Sequence, residues 1–495
     1  MSPARRARAI MLQGTGSHAG KTVLVAGFCR LLARRGLRVV PFKSQNMSLN
    51  AHVAPGGGEM GWAQVMQAEA AGVPPRVEMN PILLKPRAEA RSQVVLLGRV
   101  LQEADARAYY RLTPTLWPAV RLSYEALARE ADVVVIEGAG SPAEPNLMRR
   151  DLANMRVARL ARAPVLLVGD IDRGGVFASL LGTMTLLPPA DRSRVRGFVI
   201  NKFRGDPSLL APAVRDLVRR TRVDVVGVVP FLPHLGLPEE DSVALDDGAR
   251  VAADGLRVAV VRLPHIANFT DFAPLESEPG VRLVYAATPG DIAGAALVIL
   301  PGSKDTIADL RALRSLGFTR TLDQHRRRGG LVLGICGGYQ MLGRSVADPH
   351  HVESGGAEVG LGLLPVATTL TPGKVTRRVH ARWLPDGPAF DGYEIHMGLT
   401  TADGAPRPLL EVEGRVEGCV SPDGRVWGTY VHGLFESGAG RRRVMEWVRA
   451  AAGGPAPSSS APLDHRAVRE AAYERLADTL AASIDPRLLR AIGAA

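Results

Sequence analysis

The chain has 495 residues, 46% hydrophobic and 22% charged, the make-up of an ordinary globular protein of two to four domains. No apolar run approaches the length of a membrane span, and the apolar stretch behind Arg5, Arg6 and Arg8 is too short for a secretory leader; three distant cysteines form no disulfide or zinc pattern, so a cytoplasmic protein without membrane insertion is expected. The 61 basic against 49 acidic residues leave a charge of +12, but the arginines are scattered and no basic arm carries interleaved aromatics, so no nucleic-acid partner is expected.

In chain order, β-branched runs at Ala9–Leu12, Arg38–Pro41, Asp132–Ile136, Pro164–Val168, Val195–Ile200 and Val223–Val229 alternate with helical patterns. Uniformly apolar strands separated by helices predict a parallel sheet covered on both faces. Residues 233–255 lose this rhythm and are expected to be a linker. A second α/β series follows at Leu256–Arg262, Val281–Ala286, Ala296–Leu300 and Leu331–Ile335, with hairpin-like strands ending at Arg425–Val431. The expected class is α/β, with two doubly wound, mostly parallel sheets. The expected units are residues 1–232, 256–450 and a linker with a helical tail over 451–495.

Three strand ends of the first unit carry chemistry. Gln13 to Val23 form a glycine loop between a strand and a helical pattern. The N–H groups of Gly14, Thr15, Gly16 and Gly20 suit a polyphosphate, Lys21 its outer phosphates and the Thr22 hydroxyl a Mg²⁺ ion. The loop is one residue longer than the strict motif, which would place its first glycine at Thr15. Glu137, just past an apolar strand, suits the same metal. Asn201 ends another strand and reads as either an adenine contact or a turn residue.

In the second unit, an apolar strand runs into Gly334-Ile-Cys336-Gly-Gly338 and then a helical pattern. This is a nucleophile elbow with cysteine, its sulfur at a helix start that favours the thiolate. His432, at a later strand end, is the candidate base.

These segments resemble known families. The longer phosphate loop resembles dethiobiotin synthetase and its relatives, which use ATP to activate carboxylates. The elbow and His432 resemble a class I glutamine amidotransferase domain. That resemblance makes Cys336 the thioester nucleophile and His432 the general acid and base, with Gly302 and Gly337 giving oxyanion N–H groups. Most such domains place a glutamate two residues after the histidine; here that residue is Leu434, Glu436 lies two further on, and the third member stays unassigned. Joined, the halves imply an ATP-made acyl phosphate attacked by ammonia from L-glutamine.

Over roughly residues 8–450, the segments Pro41–Asn50, Met79–Pro86, Ser141–Leu147, Val168–Gly175, Asn268–Phe272 and Gly392–Gly398 resemble signatures of the cobyric acid synthase family. The resemblance implies amidation of the b, d, e and g carboxylates of adenosylcobyrinic acid a,c-diamide, with ATP, Mg²⁺ and glutamine. Lys43, Gln45, Asn46, Lys85 and Asp151 are then candidate contacts of a corrinoid polycarboxylate, in a broad cleft between domains that a positive charge would suit. The sister family of cobyrinic acid a,c-diamide synthases shares the chemistry, but Ser44–Asn50 and residues 268–271 favour the first family. A partitioning-type ATPase would carry an earlier loop lysine and leave the cysteine elbow unexplained. Only six basic residues are lysines: Lys21, Lys43, Lys85, Lys202, Lys304 and Lys374. Lys21, Lys43 and Lys85 fall within these segments, Lys202 in the strand end Asn201–Asp206 and Lys304 in the oxyanion segment Pro301–Thr306, leaving only Lys374 outside, as expected of positions where arginine cannot substitute.

Overall fold

The computed structural model describes residues 7–87, 91–233, 235–238, 255–453 and 464–492. The expected linker at 233–255 and the Pro/Ser-rich break before the tail lie almost wholly outside these residues.

The six apolar runs of the first unit pair as one parallel sheet. Its order is Val225–Pro230, Val195–Phe203, Val165–Asp170, Arg8–Gly14, Val133–Glu137 and Val39–Phe42. Arg8–Gly14 is central, with Leu12 opposite Glu137, so strand register alone sets the metal candidate beside the phosphate loop. Both faces are buried: Met11, Val134 and Leu167 face one apolar cluster, and Ile10, Val135 and Leu166 face another. This explains why the strands read as continuous apolar runs rather than alternating ones.

The second unit repeats the plan with Val281–Ala286, Leu256–Val261, Leu297–Leu300, Leu331–Ile335 and Val426–Thr429, all parallel, edged by an antiparallel Cys419–Val420. Two mixed, largely antiparallel sheets complete the fold. One, from Gln45–Met47, Ile82–Pro86, Arg91–Leu96 and Arg99–Asp105, is inserted in the first unit. The other is built on a long hairpin, Val366–Trp383 with Ala389–Ala402. In the inserted sheet Ile82, Leu84 and Val94 face the first unit's core while Leu83 and Val95 face the second unit, and the outer strands are largely polar and exposed.

The two units meet where these additions face each other. Ala51, Val53, Leu83 and Val95 of the first unit pack with Tyr393 and Ile395 of the hairpin. Asn268 accepts from the Ala51 N–H at 3.0 Å, and Arg87 donates to the Val352 carbonyl at 2.8 Å.

The tail is part of the first unit. Helix His465–Ser483 lies on the loop helix Lys21–Ala33, with Leu476 and Leu480 over Gly27, where a Cβ would stand 2.7 Å from Leu480. Buried Arg469 joins Glu69 of the first unit, at 2.9 Å, to Glu436 of the second, at 2.7 Å.

Candidate active site

The phosphate loop turns directly into helix Lys21–Ala33 through Gly20, whose φ of 85° is left-handed. A side chain there would also strike Asn201, since a Cβ would lie 2.2 Å from its Nδ2. Glycine is therefore required twice over at this turn. Asn201 donates to the Ala19 carbonyl at 2.9 Å, and Lys202 donates to His18 and Asp170, so this strand end braces the loop from beneath. Lys21 reaches the carbonyls of Gly16 at 2.9 Å and Gly140 at 3.3 Å, holding its ammonium over the cradle.

Glu137 is buried. Its Oε1 accepts from the Thr22 hydroxyl and from Lys43, both at 2.8 Å, and its Oε2 accepts from Gln67. One carboxylate and one hydroxyl this close form a donor set for Mg²⁺, which keeps several waters and takes phosphate oxygens.

The elbow closes at Cys336, with φ 54° and ψ −111°, a conformation that costs a non-glycine residue about 1–3 kcal/mol. The turn is pressed against the strand Leu297–Leu300: a Cβ on Gly338 would stand 2.0 Å from the Leu300 carbonyl. One on Gly337 would stand 2.8 Å from the Ser303 nitrogen, so the two oxyanion segments, at Gly302 and Gly337, are in contact. Gln340 fixes the elbow helix by donating to Met397 O and Tyr430 OH and accepting from Thr306. The Cys336 thiol points at the Ile395 carbonyl, 3.4 Å away.

His432 is buried and its Nδ1 lies 2.6 Å from Asp271 Oδ2. The other Asp271 oxygen accepts from the Tyr393 hydroxyl at 3.1 Å, and the Tyr393 ring stacks on the imidazole at 5.0 Å and 10°. Asp271 therefore stands against His432 where a triad's third member would stand. Glu436 instead pairs with Arg469 and the tail. Burial pushes the His432 pKa down, but the charge and hydrogen bond of Asp271, together with Cys336, outweigh it and raise it to about 10. His396 lines the same pocket and goes the other way: burial, then the charge of His432, lowers it to about 4.

The five proposed corrinoid contacts do not form one wall. Lys43 is on Glu137 at the phosphate site. Gln45 accepts from Tyr109, Asn46 donates to Gln64, and Asp151 accepts from the N–H groups of Ala153 and Asn154 at the start of helix Met155–Ala161. Lys85 lines the Cys336 pocket and pairs with Glu59. Lys374, the one lysine outside every motif, reaches across from the second unit to the same Glu59 and lines the same pocket. Asp271 had a visible signal, since Asn268–Phe272 resembles a family signature and Leu434 vacates the usual acid's place. Lys374, Glu59 and Arg469 had none, because each acts through a partner far away in the chain.

Comparison with known proteins agrees with this geometry. Residues 10–243 match the CobQ/CobB/MinD/ParA nucleotide binding domain, and residues 257–440 the CobB/CobQ-like glutamine amidotransferase domain. A nucleotide-binding domain fused to a cysteine glutaminase defines the class: a glutamine-dependent amide ligase. Cobyric acid synthase of Desulforudis audaxviator is 52% identical over 97% of both chains. That of Halorhodospira halophila is 50% identical over 99% of this chain and 98% of its own. That of Syntrophobacter fumaroxidans is 46% identical over 98% of this chain and 99% of its own. The chain belongs to the cobyric acid synthase family. Coverage this complete takes in most of the tail, which the sequence resemblance had left outside.

Proposed function

We propose that the enzyme converts adenosylcobyrinic acid a,c-diamide to adenosylcobyric acid, amidating the b, d, e and g carboxylates with one ATP and one glutamine each. The observation that carries this is the placement of the Cys336–His432–Asp271 triad at the seam between units, in a pocket that Lys85 of the ATP-binding unit also lines. Ammonia released there is delivered within the protein rather than into water, where it would be protonated.

At the glutaminase site, the Cys336 thiolate attacks the glutamine amide carbon. Gly302 and Gly337 N–H groups take the developing oxyanion. His432, oriented by Asp271, gives its proton to the leaving ammonia and then draws one from the water that hydrolyses the glutamyl thioester. At the phosphate loop, Gly14, Thr15, Gly16 and Gly20 cradle the triphosphate and Lys21 covers its outer phosphates. Thr22 and Glu137 would hold Mg²⁺, which neutralises phosphate charge during transfer to the substrate carboxylate. Asn201, at the loop's edge, is assigned to the adenine, and Lys43 exchanges its Glu137 partner for the transferred phosphate. Ammonia then displaces phosphate from the acyl phosphate and leaves the amide.

Purified enzyme with ATP, Mg²⁺, glutamine and adenosylcobyrinic a,c-diamide gives a product with four added amides by mass spectrometry. Glutamine hydrolysis with no added amide would refute the substrate. Cys336→Ser abolishes glutamine use and retains amidation from concentrated ammonia; loss of both would refute the division of labour.

A further inference from the structure

The triad explains how the amide is attacked but not what grips the other end of glutamine, where an ammonium and a carboxylate sit on one carbon. The pocket holding Cys336 and His432 is also lined by Lys85, Lys374, Lys304 and Glu353. Lys85 and Lys374 are both bound to Glu59. Lys304, only 7% exposed, makes no ion pair or hydrogen bond through its ammonium among the described residues. Glu353 lies beside it, one oxygen accepting from the Thr306 N–H at 2.6 Å and its own N–H held by Asp348 at 2.7 Å.

One short segment carries the relevant atoms. Gly302 gives the oxyanion N–H, Lys304 follows two residues later, and Thr306 anchors Glu353. The Lys304 backbone donates to His265 O at 2.9 Å, and Ser303 and His265 are both bonded to Asp309, which is fully buried. The backbone from the oxyanion N–H to the root of the Lys304 side chain is thereby held in place. Neither charge is well matched in the pocket. Burial, then the neighbouring charges of Lys374, Arg87 and Lys85, draws Lys304 well below its ordinary range, while burial raises Glu353 to about 7 against the pull of Lys304. An amino-acid zwitterion would supply both with a counter-charge.

We propose that Lys304 receives the α-carboxylate of glutamine and Glu353 its α-ammonium, so that this pair selects a free amino acid over other primary amides. The inference rests on the glutaminase reading above.

The test measures steady-state hydrolysis of glutamine, of 4-aminobutanamide, which lacks the carboxylate, and of glutaramate, which lacks the ammonium. Lys304→Met raises KM for glutamine roughly 30- to 100-fold, the loss expected of a buried charge-assisted contact, with kcat within about threefold. Its kcat/KM for 4-aminobutanamide changes less than about threefold. Glu353→Gln shows the same pattern with glutaramate. Ammonia-supported amidation by each variant reports that the fold is intact, and Lys304→Gln carries the same test if the methionine variant fails to fold. An equal fall in kcat/KM for glutamine and 4-aminobutanamide would overturn the role of Lys304. A lower ratio of amide formed to glutamine hydrolysed, with KM unchanged, would place the pair on the ammonia route instead. Absence of glutamine hydrolysis by the unaltered enzyme would sink the glutaminase reading rather than this pair.

Discussion

The two reaction centres are prepared in different ways. At the phosphate loop, the polar groups bond within the protein: Lys21 to the Gly16 and Gly140 carbonyls, Lys43 and Thr22 to Glu137. At the glutaminase, the orienting contacts already stand, with Asp271 on His432, Tyr393 on Asp271 and a strained elbow at Cys336. The first is a cradle within one unit. The second is preorganised, but it sits on a seam and depends on contacts from the other unit.

The largest way to break this contrast is Asp271→Asn. It removes the charge that holds His432 protonated and leaves the imidazole free to take the wrong tautomer. Glutamine-dependent turnover falls about 10³- to 10⁴-fold, while ammonia-supported amidation persists. The pH profile sharpens the point. The imidazolium is present below its pKa of about 10 and is lost as pH rises through it, so glutaminase activity declines on that alkaline side. In Asp271→Asn the decline moves to lower pH. An unmoved alkaline limb would show that Asp271 does not set the charge of His432.

Glu137→Gln tests the cradle. It removes the carboxylate while keeping hydrogen bonds to Thr22 and Lys43 possible. Amidation falls about 10²- to 10³-fold, on the scale of losing an electrostatic contact at a phosphoryl group, and by the same factor with glutamine or ammonia. A defect confined to glutamine would mean that Glu137 serves the seam rather than ATP.

The legibility of the two centres follows from the same contrast. The cradle and elbow were readable because their residues are contiguous and their strands, buried on both faces, are continuous apolar runs. All six strands of the first sheet and Cys336, His432 and Lys21 could be placed that way. Asp271 was visible within the Asn268–Phe272 signature, yet its place needed the fold, which brings it across 161 positions to His432. The mixed sheets that build the seam have short or polar-interrupted strands with weak signatures. Lys374 and Glu59 pair across 315 positions, a contact no local pattern can announce.

Arg469 is the next weaker lever, acting on stability. Its side chain is 3% exposed and sits between Glu69 and Glu436. Arg469→Met leaves two partly buried carboxylates facing one another and costs about 3 kcal/mol, measured by denaturant unfolding. The pH dependence has a definite sign. Burial raises the Glu436 carboxyl, but the charge of Arg469 and the bonds with His465 and Arg469 outweigh it and lower it to about 2. A depressed carboxyl contributes stability above its unfolded pKa near 4.3, and that contribution is lost as pH falls from there through about 2. Arg469→Met should flatten stability over that window. An unchanged slope would mean that the tail is held by its other contacts, the packing of Leu476 and Leu480 and the pairs of Arg30 and Arg34 with Glu470, Glu474 and Asp478.

The smallest expected effect goes to the seam itself. Asn268 starts the short helical turn Phe269–Phe272 that carries Asp271, and its φ of 53° is left-handed. Its Oδ1 accepts from the Ala51 N–H, so one side chain ties the triad's acid to the ATP-binding unit. Asn268→Gly keeps the backbone freedom and removes only that bond, a loss of about 1 kcal/mol. Asn268→Ala also meets the left-handed penalty of roughly 1–2 kcal/mol. If the bond positions Asp271, the glycine variant lowers kcat for glutamine about fivefold, in line with the bond's energy, and the alanine variant lowers it further. If only the turn's conformation matters, the glycine variant is indistinguishable from the unaltered enzyme and the alanine variant alone is impaired. The comparison thus separates a glutaminase held by its own fold from one held by its neighbour, which the contacts of Asn268 favour.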